Sequence, residues 1–553
     1  MRENITDTDM LLRGTANLPR VLDIMGFPSL RKGQDTVIAQ IMGGRDVLCI
    51  LPTSTGKTGC FVIPTLALGW KTLVFSPLIA LMRDQVQSLQ RKGIRAGQMV
   101  SVQSEAENIQ AMRLWMAGEL DLFYVAPERL GNEHFRQAMQ AVCPDFVVAD
   151  EAHVVSEWSD NFRSAYAHVG DFIEEFNPRV VGTFTATMPP EVERDVRRVF
   201  RQENAEKILW YPRRANLNLS ADLLVGIHQL VQDVKSVQGA CIIYCSTIER
   251  VQQRAAILSD MLGEEVGIYH GTGMTPTQKK SNMDNFMEGR VRIIVATNAF
   301  GMGIDKSDIR GVFSADMPRS CEEVAQLNGR AGRDGKPSFC KTYWDSASRR
   351  TQEFFISNGH PGKADITALY QAIQRMADRD GTLHKGSADL SRASGVKGFL
   401  VGAAKQVLMA SKVLEAVSVD AEEKACLINY KGSSEEELFR EWRGYVESTG
   451  REENGYRVIS QGDLEQLCEA KMPVIRKKFK QWEDEGLVAF LPPSKARPVK
   501  LIGDISMVDF PRLKQKAVEA YEKLDKVAEY IETPDGEKHK FLEDYFGVTN
   551  NGG

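Results

Sequence analysis

Short, uninterrupted hydrophobic runs recur through the first part of the chain, and each ends in a small group of polar residues. In order, they lie at 47–51, 71–77, 120–125, 146–149 and 180–184. Segments of helix length separate them. Continuous apolar strands that alternate with helices are typical of a parallel sheet covered on both faces. We therefore predict an α/β domain that binds its ligand at the carboxyl ends of the strands, where the polar groups fall.

The same alternation resumes near residue 209, with buried-strand patterns at 240–245, 266–269 and 292–297. A second parallel-sheet domain is expected there, because the chain of 553 residues is longer than the roughly 250–300 that one core spans. The two halves of this region should therefore fold as tandem domains.

Beyond residue 349 the pattern changes to helix-turn-helix spacing, first at 364–411 and again at 463–485. The runs 487–491 and 497–502 flank a Pro-Pro turn, and we predict that they pair as a wing. Winged-helix modules are the natural analogy for this part of the chain.

Composition and charge narrow the class of protein. Hydrophobic residues make up 43% of the chain and charged residues 26%, as in ordinary globular domains. No apolar run approaches the roughly 20 residues of a membrane span, and the N-terminus has no apolar signal core. We expect an intracellular protein, cytoplasmic if it comes from a bacterium or a phage. Since the net charge is −5, any nucleic-acid contact must use local basic clusters.

The nine cysteines contain no C-x-x-C pair. Cys241 and Cys245 would lie roughly 13 Å apart on one strand, too far to share a metal ion. Buried free thiols in a reducing compartment are the expected state.

The first hydrophobic run ends in the turn Pro52-Thr53-Ser54-Thr55-Gly56-Lys57-Thr58. At a helix N-terminus, backbone amides bind phosphate, a lysine ammonium reaches the terminal phosphates and a hydroxyl binds Mg²⁺. Gly56, Lys57 and Thr58 match the end of the Walker A pattern, although Leu51 replaces its first glycine. The turn predicts an ATP site that includes Thr53 and Thr55. An ordinary strand-to-helix turn is the alternative.

Two other groups suit a nucleotide. Asp150 and Glu151 follow the run 146–149. Asp150 could hold Mg²⁺, and Glu151 could orient the attacking water. A helix N-terminal cap is the alternative for this pair. The Gln34 amide can pair with an adenine edge, and Arg31 can stack on a base or reach phosphate. A solvated polar residue is the alternative at Gln34.

Taken in order, these groups resemble the motifs of superfamily 2 helicases, with the residues that are typical of the RecQ DNA helicases. The matching stretches are Arg31 with Gln34, Thr55-Gly56-Lys57-Thr58, Ser76-Pro77-Leu78-Ile79-Ala80-Leu81, Ala126-Pro127-Glu128-Arg129-Leu130, Asp150-Glu151-Ala152-His153 and Thr185-Ala186-Thr187. The resemblance covers about residues 20 to 345. It implies two RecA-like domains with ATP and Mg²⁺ as cofactors. It also implies DNA-contacting or coupling roles for Ser76, Arg129, His153, Thr185 and Thr187.

The second domain completes the resemblance. Gly303, Asp305 and Gln326 belong to motifs that would face the nucleotide. Arg333 is our candidate for an arginine finger, which is worth roughly 10³–10⁵ in rate, and Arg330 is the candidate for a supporting phosphate contact. A solvated basic loop is the alternative.

An aromatic segment follows the acidic motif, as in RecQ enzymes. Trp158, Phe162 and Tyr166 are spaced by four, which could equally mark the buried stripe of a helix. Stacking of single-stranded bases is worth about 1–3 kcal/mol per base. With the resemblance, we predict that Trp158, Phe162 and Arg163 sense DNA and that Tyr166 packs in the core.

The C-terminal part departs from the family. RecQ enzymes usually carry a four-cysteine zinc module after the motor, whereas only Cys340, Cys426 and Cys468 follow the last motif, so we predict no zinc. The segment 528–548 resembles the helical part of that module. Lys477, Lys478 and Lys480 lie on a candidate recognition helix and would contact phosphates, unless they form a solvated face.

The predicted fold class is α/β: two tandem RecA-like parallel-sheet domains followed by mostly helical winged-helix-type modules. The predicted boundaries are 1–208 and 209–348 for the RecA-like domains, 349–432 and 433–506 for the winged-helix-like domains, and 507–553 for a C-terminal helical segment.

The predicted function is that of a RecQ-type ATP-dependent DNA helicase, moving 3′ to 5′ by family likeness and acting in repair, recombination or replication. An RNA helicase, a duplex translocase that does not separate strands, and an ATP-switched winged-helix DNA-binding regulator are the alternatives. The expected partners are single-stranded and tailed duplex DNA, with single-strand-binding or repair proteins and no membrane. A monomer is favoured.

Overall fold

Two parallel sheets organise the first part of the molecule, as the hydrophobic pattern predicts. The structure is a computed structural model. It describes residues 7–31, 33–51, 56–77, 79–100, 103, 105–131, 133–152, 154–157, 160–185, 188, 190–210, 213–300, 306–378, 380–417, 424–427, 437–449, 451–453, 456–468, 472–484, 487–491 and 498–547.

The first sheet and its helices form the first lobe. Its strands are β1 (Val47–Ile50), β2 (Thr72–Phe75), β3 (Ala96–Met99), β4 (Leu122–Val125), β5 (Phe146–Asp150), β6 (Val180–Thr185) and β7 (Glu206–Leu209). Its helices are α1 (Asp7–Met25), α2 (Gln34–Met42), α3 (Lys57–Leu68), α4 (Ile79–Arg91), α5 (Glu105–Met116), α6 (Glu133–Ala141), α7 (Val154–Glu157), α8 (Asp160–Phe176) and α9 (Pro190–Val199).

The seven strands run parallel in the order β3-β4-β2-β5-β6-β1-β7. Both faces of the sheet are buried, which explains why the central strands are mostly apolar rather than alternating between apolar and polar residues. Val47 and Cys49 of β1 face one apolar cluster, and Leu48 and Ile50 face the other. The strand ends that carry the predicted motifs therefore meet at one edge of this sheet.

The second sheet and its helices form the second lobe. Its strands are β8 (Leu217–Leu223), β9 (Ala240–Tyr244), β10 (Val266–Tyr269), β11 (Ile293–Ala296), β12 (Ile309–Ser314) and β13 (Ser338–Trp344). Its helices are α10 (Ile227–Ser236), α11 (Ile248–Leu262), α12 (Pro276–Met287), α13 (Cys321–Asn328) and α14 (Ser346–Gly359). The strands are again parallel, in the order β10-β11-β9-β12-β13-β8. The predicted pair of parallel-sheet domains is confirmed.

The chain divides into two compact units: Met1–His360 together with Phe510–Gly553, and Pro361–Asp509. The helices of the second unit are α15 (Lys363–Met376), α16 (Ser387–Ser394), α17 (Gly398–Ala410), α18 (Glu437–Thr449), α19 (Gln461–Leu467), α20 (Met472–Lys478) and α21 (Lys480–Asp484). Its strands are β14 (Thr382–Leu383), β15 (Leu414–Ala416), β16 (Lys424–Leu427), β17 (Arg451–Glu453), β18 (Tyr456–Ser460), β19 (Val488–Leu491) and β20 (Val499–Leu501).

The predicted wing is wrong in its pairing. The strands on either side of the Pro-Pro turn, β19 and β20, belong to different sheets. Strand β19 pairs with β16, and β20 pairs antiparallel with β14 and β15, where Leu501 lies opposite Leu414. Since β15 and β20 are the two strands of one hairpin, residues 418–497 are inserted in its connection. The two modules are nested, whereas the predicted boundaries at 432 and 506 treat them as consecutive.

The chain then returns to the second lobe through α22 (Phe510–Glu532) and α23 (Lys538–Tyr545), in the segment predicted to be helical. Leu524, Val527 and Tyr530 of α22 join the apolar cluster of that lobe. The His539 ring bonds to the Leu217 carbonyl at 2.9 Å. In the part of the chain that the structure describes, no helix combines the length and apolar character that crossing a membrane requires.

Candidate nucleotide and nucleic-acid site

The phosphate-binding turn is built as predicted where the structure describes it. Helix α3 begins at Lys57, directly after Gly56, whose φ of 85° is left-handed. A Cβ on Gly56 would lie 2.5 Å from the Gln34 side-chain nitrogen. Only glycine therefore meets both the conformational and the steric requirement here. Thr53 and Thr55 lie outside the described residues.

Gln34 supports this turn from α2. Its side chain is 1% exposed, so the solvated alternative is wrong. Its Nε2 donates to the Gly56 carbonyl at 3.1 Å, and its Oε1 accepts from the Arg31 amide at 2.9 Å. Arg31 itself is exposed. Gln34 thus joins the phosphate-binding turn to the segment before α2, and its contact with adenine stays a prediction.

Lys57 and Glu151 come together although they lie 94 positions apart in sequence. The Lys57 ammonium is 2.8 Å from Glu151 Oε1, and both side chains are mostly buried. Glu151 follows β5 with a left-handed φ of 52°, which is uncommon for a residue other than glycine. The lysine predicted to reach the terminal phosphates and the carboxylate predicted to orient the attacking water are therefore in direct contact.

Asp150 is the last residue of β5 and is only 3% exposed. Burial, followed by the neighbouring Glu151 carboxylate, raises its pKa, while Lys57 and a hydrogen bond from Gln85 act in the opposite direction. A buried carboxylate with a raised pKa gains from a nearby divalent cation. Thr58, half-buried in the first turn of α3, supplies a hydroxyl of the kind that Mg²⁺ accepts. These two residues fit the predicted Mg²⁺ role.

Arg330 of the second lobe lies within electrostatic range of this pair. The residue is 5% exposed, and burial lowers its pKa, whereas Tyr244 and the Glu151 carboxylate favour its charged form. Arg333, three residues on, is half-buried and lies close enough to act electrostatically on both Arg330 and Tyr244. The charge of Arg330, the predicted supporting arginine, thus interacts with that of Glu151.

Sequence reasoning missed Arg214, which holds the arginine loop. Its guanidinium donates to the carbonyls of Gly329 at 3.3 Å, Ala331 at 2.7 Å and Gly332 at 2.5 Å. The Asn216 amide also donates to the Gly332 carbonyl, at 2.9 Å. These partners lie more than a hundred positions away in sequence, so no local motif marks Arg214.

The predicted DNA-contacting residues that can be placed lie at the same edge of the first sheet. Ser76 follows β2 and is fully buried, Thr185 ends β6, and Arg129 lies in the 3₁₀ turn Pro127–Gly131 after β4. Gln326 is half-buried in α13 of the second lobe.

Several predicted residues are not described. His153, Trp158, Thr187, Gly303 and Asp305 lie outside the described residues. Phe162 and Arg163 belong to α8, but their side chains are outside the description.

Two other predictions can be compared with the structure. Tyr166 is fully buried and packs edge-on against Phe200 at 5.9 Å, so its predicted packing role is confirmed. Lys477, Lys478 and Lys480 are exposed in the second unit.

Among the described residues, no group of three or more His, Cys, Asp or Glu side chains could hold a metal ion. The predicted lack of zinc stays a prediction, because part of the chain is not described. The cysteines that the structure describes with their side chains are free, and six of these eight are buried.

Two matches to known protein families define the class of this protein. Residues 31–195 match the DEAD/DEAH box helicase family, and residues 223–335 match the helicase conserved C-terminal domain. The two matches fall on the two lobes. The DNA-bound helicase MrfA has a similar fold, with a TM-score of 0.51 and 16% identity over 64% of this chain and 54% of that one. The first unit thus has the domain organisation of a two-lobed helicase.

The chain belongs to the RecQ family of ATP-dependent DNA helicases. It is 32% identical over 368 residues to ATP-dependent DNA helicase RecQ of Synechocystis, which covers 63% of this chain and 77% of that protein. The probable ATP-dependent DNA helicase RecS of Bacillus subtilis is 31% identical over 64% of this chain and 72% of its own length. The RecQ of Haemophilus influenzae is 35% identical over 59% of this chain, which spans about half, 52%, of that relative.

Proposed function

We propose that this protein is an ATP- and Mg²⁺-dependent DNA helicase that moves 3′ to 5′ along one strand and separates the duplex. The observation that supports this most directly is the ion pair of Lys57 with Glu151 in the first lobe, together with the electrostatic influence of Glu151 on Arg330 of the second lobe. Phosphoryl transfer is catalysed mostly by positioning and charge stabilisation. Charged groups from both lobes are therefore suited to a nucleotide that binds between them.

Each residue has one role in the proposed hydrolysis. Lys57 exchanges its bond to Glu151 for one to the terminal phosphates, and Glu151 then orients the attacking water. Asp150 and Thr58 are the residues that would hold Mg²⁺, which supplies charge neutralisation at the phosphates when bound. Arg330 and Arg333 stabilise the charge that develops on the transferred group. Gly303, Asp305 and Gln326 contact the nucleotide in this proposal, because they belong to motifs that have this role in the family.

Strand contact is assigned to the same edge of the first lobe. Ser76 and Thr185 lie at the ends of the two strands that flank β5, and Arg129 follows β4 at the same edge, so a strand bound there lies close to Asp150 and Glu151. Trp158, Phe162 and Arg163 sense the bases, while His153 and Thr187 couple strand to nucleotide. Each base-pair step costs about 1.4 kcal/mol of stacking, so repeated separation has to be coupled to hydrolysis.

The second unit supplies a further DNA contact in this proposal. Lys477, Lys478 and Lys480 are exposed around the junction of α20 and α21, while Phe479 between them is buried in the apolar cluster of the module. Cations held on a folded surface bind the phosphate backbone without reading sequence.

The decisive experiment is ATP hydrolysis measured with single-stranded DNA, RNA and duplex DNA, followed by strand displacement on duplexes with 3′ or 5′ tails. We expect single-stranded DNA to stimulate hydrolysis most and only the 3′-tailed duplex to be separated. Stimulation by RNA would favour an RNA helicase. Hydrolysis stimulated by duplex without displacement would favour a translocase. DNA affinity controlled by nucleotide without displacement would favour a regulator.

Cofactors and assembly are tested on the same preparation. Chelation of Mg²⁺ should abolish hydrolysis, and elemental analysis should find no stoichiometric zinc. Light scattering should give the mass of a monomer. One zinc ion per chain would overturn the predicted lack of zinc without affecting the proposed motor.

A further inference from the structure

Helix α4 connects the two parts of the proposed site. It begins at Ile79, shortly after Ser76 at the end of β2, and packs its inward face on the sheet through Met82, Val86 and Leu89. Strand β2 lies beside β5 with Phe75 opposite Ala149, so Ser76 is next to Asp150 across the two strands. The start of α4 and the surroundings of Asp150 are therefore adjacent in the first lobe.

Gln85 makes the direct link. Its Nε2 donates to Asp150 Oδ2 at 3.2 Å, across 65 positions of sequence. The other oxygen of Asp150 accepts from the Glu151 amide at 3.0 Å. Gln85 thus holds the one carboxylate oxygen that the backbone does not, and it sets the plane of the Asp150 side chain.

The groups around this bond have spare hydrogen-bonding capacity. Gln85 Oε1, the Ser76 hydroxyl and the Tyr124 hydroxyl are buried and have no hydrogen-bond partner within the described residues. Tyr124 is close enough to Asp150 for the carboxylate charge to act on it. Buried polar atoms are otherwise nearly always satisfied, so each of these three atoms can still form a hydrogen bond with a water molecule.

We propose that Gln85 is a positioning residue that orients Asp150 for Mg²⁺ and links strand contact at the start of α4 to that orientation. This rests on the proposed function, since it assigns a means of regulation to the same site. An amide is suited to the task, because its nitrogen can donate to the carboxylate while its oxygen accepts a hydrogen bond from a water molecule. Residues that orient a metal ligand in this way affect metal affinity by roughly 10- to 100-fold.

The test compares Gln85→Met with Gln87→Met in the full chain. Methionine keeps the length and flexibility of glutamine but removes the amide, and Gln87 is exposed on the same helix. Thermal unfolding establishes that both variants fold. The first readout is binding of a fluorescent ATP analogue during a Mg²⁺ titration without hydrolysis. The second is the ratio of hydrolysis rates with and without single-stranded DNA.

We expect Gln85→Met to raise the half-saturating Mg²⁺ concentration by roughly tenfold or more and to lower the DNA-stimulated ratio, while Gln87→Met matches the natural protein. Equal Mg²⁺ dependence and equal stimulation in the two variants would overturn the proposal. A lower ratio with normal Mg²⁺ dependence would also overturn it, because Gln85 would then act without Asp150. If the natural protein itself shows no stimulation by DNA, the proposed function fails, and the Mg²⁺ titration still decides the role of Gln85.

Discussion

The ion pair between Lys57 and Glu151 joins two groups that the proposed reaction needs separately. At 2.8 Å, the lysine and the carboxylate satisfy each other in a mostly buried position. The phosphates of ATP attract the ammonium with more charge than one carboxylate does. Binding of ATP would therefore free Glu151 at the moment when a base is needed, and each partner should have a distinct effect on binding and turnover.

Substitution of Glu151 separates these effects. Glu151→Gln removes the base and the competing charge together, so we expect hydrolysis to fall by roughly 10²–10⁴-fold. The affinity for ATP should stay equal or rise. Lys57→Ala should abolish hydrolysis through lost phosphate contact but leave DNA binding. Rapid-quench hydrolysis and analogue titration measure the two quantities, and a large loss of ATP affinity in Glu151→Gln would contradict the exchange of partners.

Arg214 holds the loop of the second lobe that carries Arg330. Three carbonyls of the loop that carries Arg330 accept from its guanidinium. Arg214→Ala should lower the maximal hydrolysis rate by at least roughly tenfold, since hydrogen bonds to charged groups are worth about 1.5–3 kcal/mol each. The Mg²⁺ dependence should not change, in contrast to Gln85→Met. Arg213→Ala, the neighbouring arginine, is the matched control, and equal kinetics in the two variants would refute the role of Arg214.

At the scale of elements, the apolar run decides which strands can be predicted. Strand β1 is apolar throughout, β5 is apolar up to its last residue, Asp150, and both are predicted closely. Strand β8 is missed, because it forms the sheet edge and carries Asn218 and Ser220. Lys57, Asp150 and Glu151 can be predicted because local motifs contain them. Gln85 and Arg214 cannot, because their partners lie far away in the chain. The wing is mispredicted for the same reason, since strand pairing is not local.

The C-terminal helices depend on one buried lysine. Lys538 is fully buried, and its ammonium donates to the carbonyls of Tyr530 at 2.8 Å, Ile531 at 3.2 Å and Thr533 at 2.7 Å. The last carbonyls of a helix have no partner within it, so Lys538 caps the end of α22. It also joins α22 to α23, in the segment that resembles the zinc module.

Removal of this ammonium should loosen α22 and α23. Lys538→Met keeps the apolar stem but leaves buried carbonyls unsatisfied, each at a cost of about 1–3 kcal/mol. We expect faster hydrogen exchange in the last turn of α22 and in α23, measured by mass spectrometry. Lys540→Met, at an exposed position, is the control. Unchanged exchange in Lys538→Met would show that the helices are held by their apolar contacts alone.

At the scale of the whole molecule, nesting makes the inserted module separable. Residues 418–497 leave and re-enter the hairpin of β15 and β20 at adjacent positions, because the Val417 amide donates to the Pro498 carbonyl at 3.0 Å. The inserted module has its own sheet and its own apolar cluster around Trp442 and Trp482. The host hairpin therefore needs only a short turn to close.

Replacement of residues 418–497 by Asn-Gly tests this, since that dipeptide favours the two-residue turn of a hairpin. We expect the shortened chain to fold and to hydrolyse ATP, because every predicted nucleotide-site residue lies outside the deletion. The affinity for DNA should fall. The slope of its logarithm against the logarithm of the salt concentration should decrease by the contribution of roughly two to three phosphate contacts. The full-length variant with Lys477, Lys478 and Lys480 all changed to alanine should show the same weaker salt dependence. If the shortened chain loses DNA binding to a much greater extent than this triple variant, the inserted module contributes more than its three exposed lysines. If the shortened chain fails to fold, the modules are not separable, and the hairpin requires its insertion.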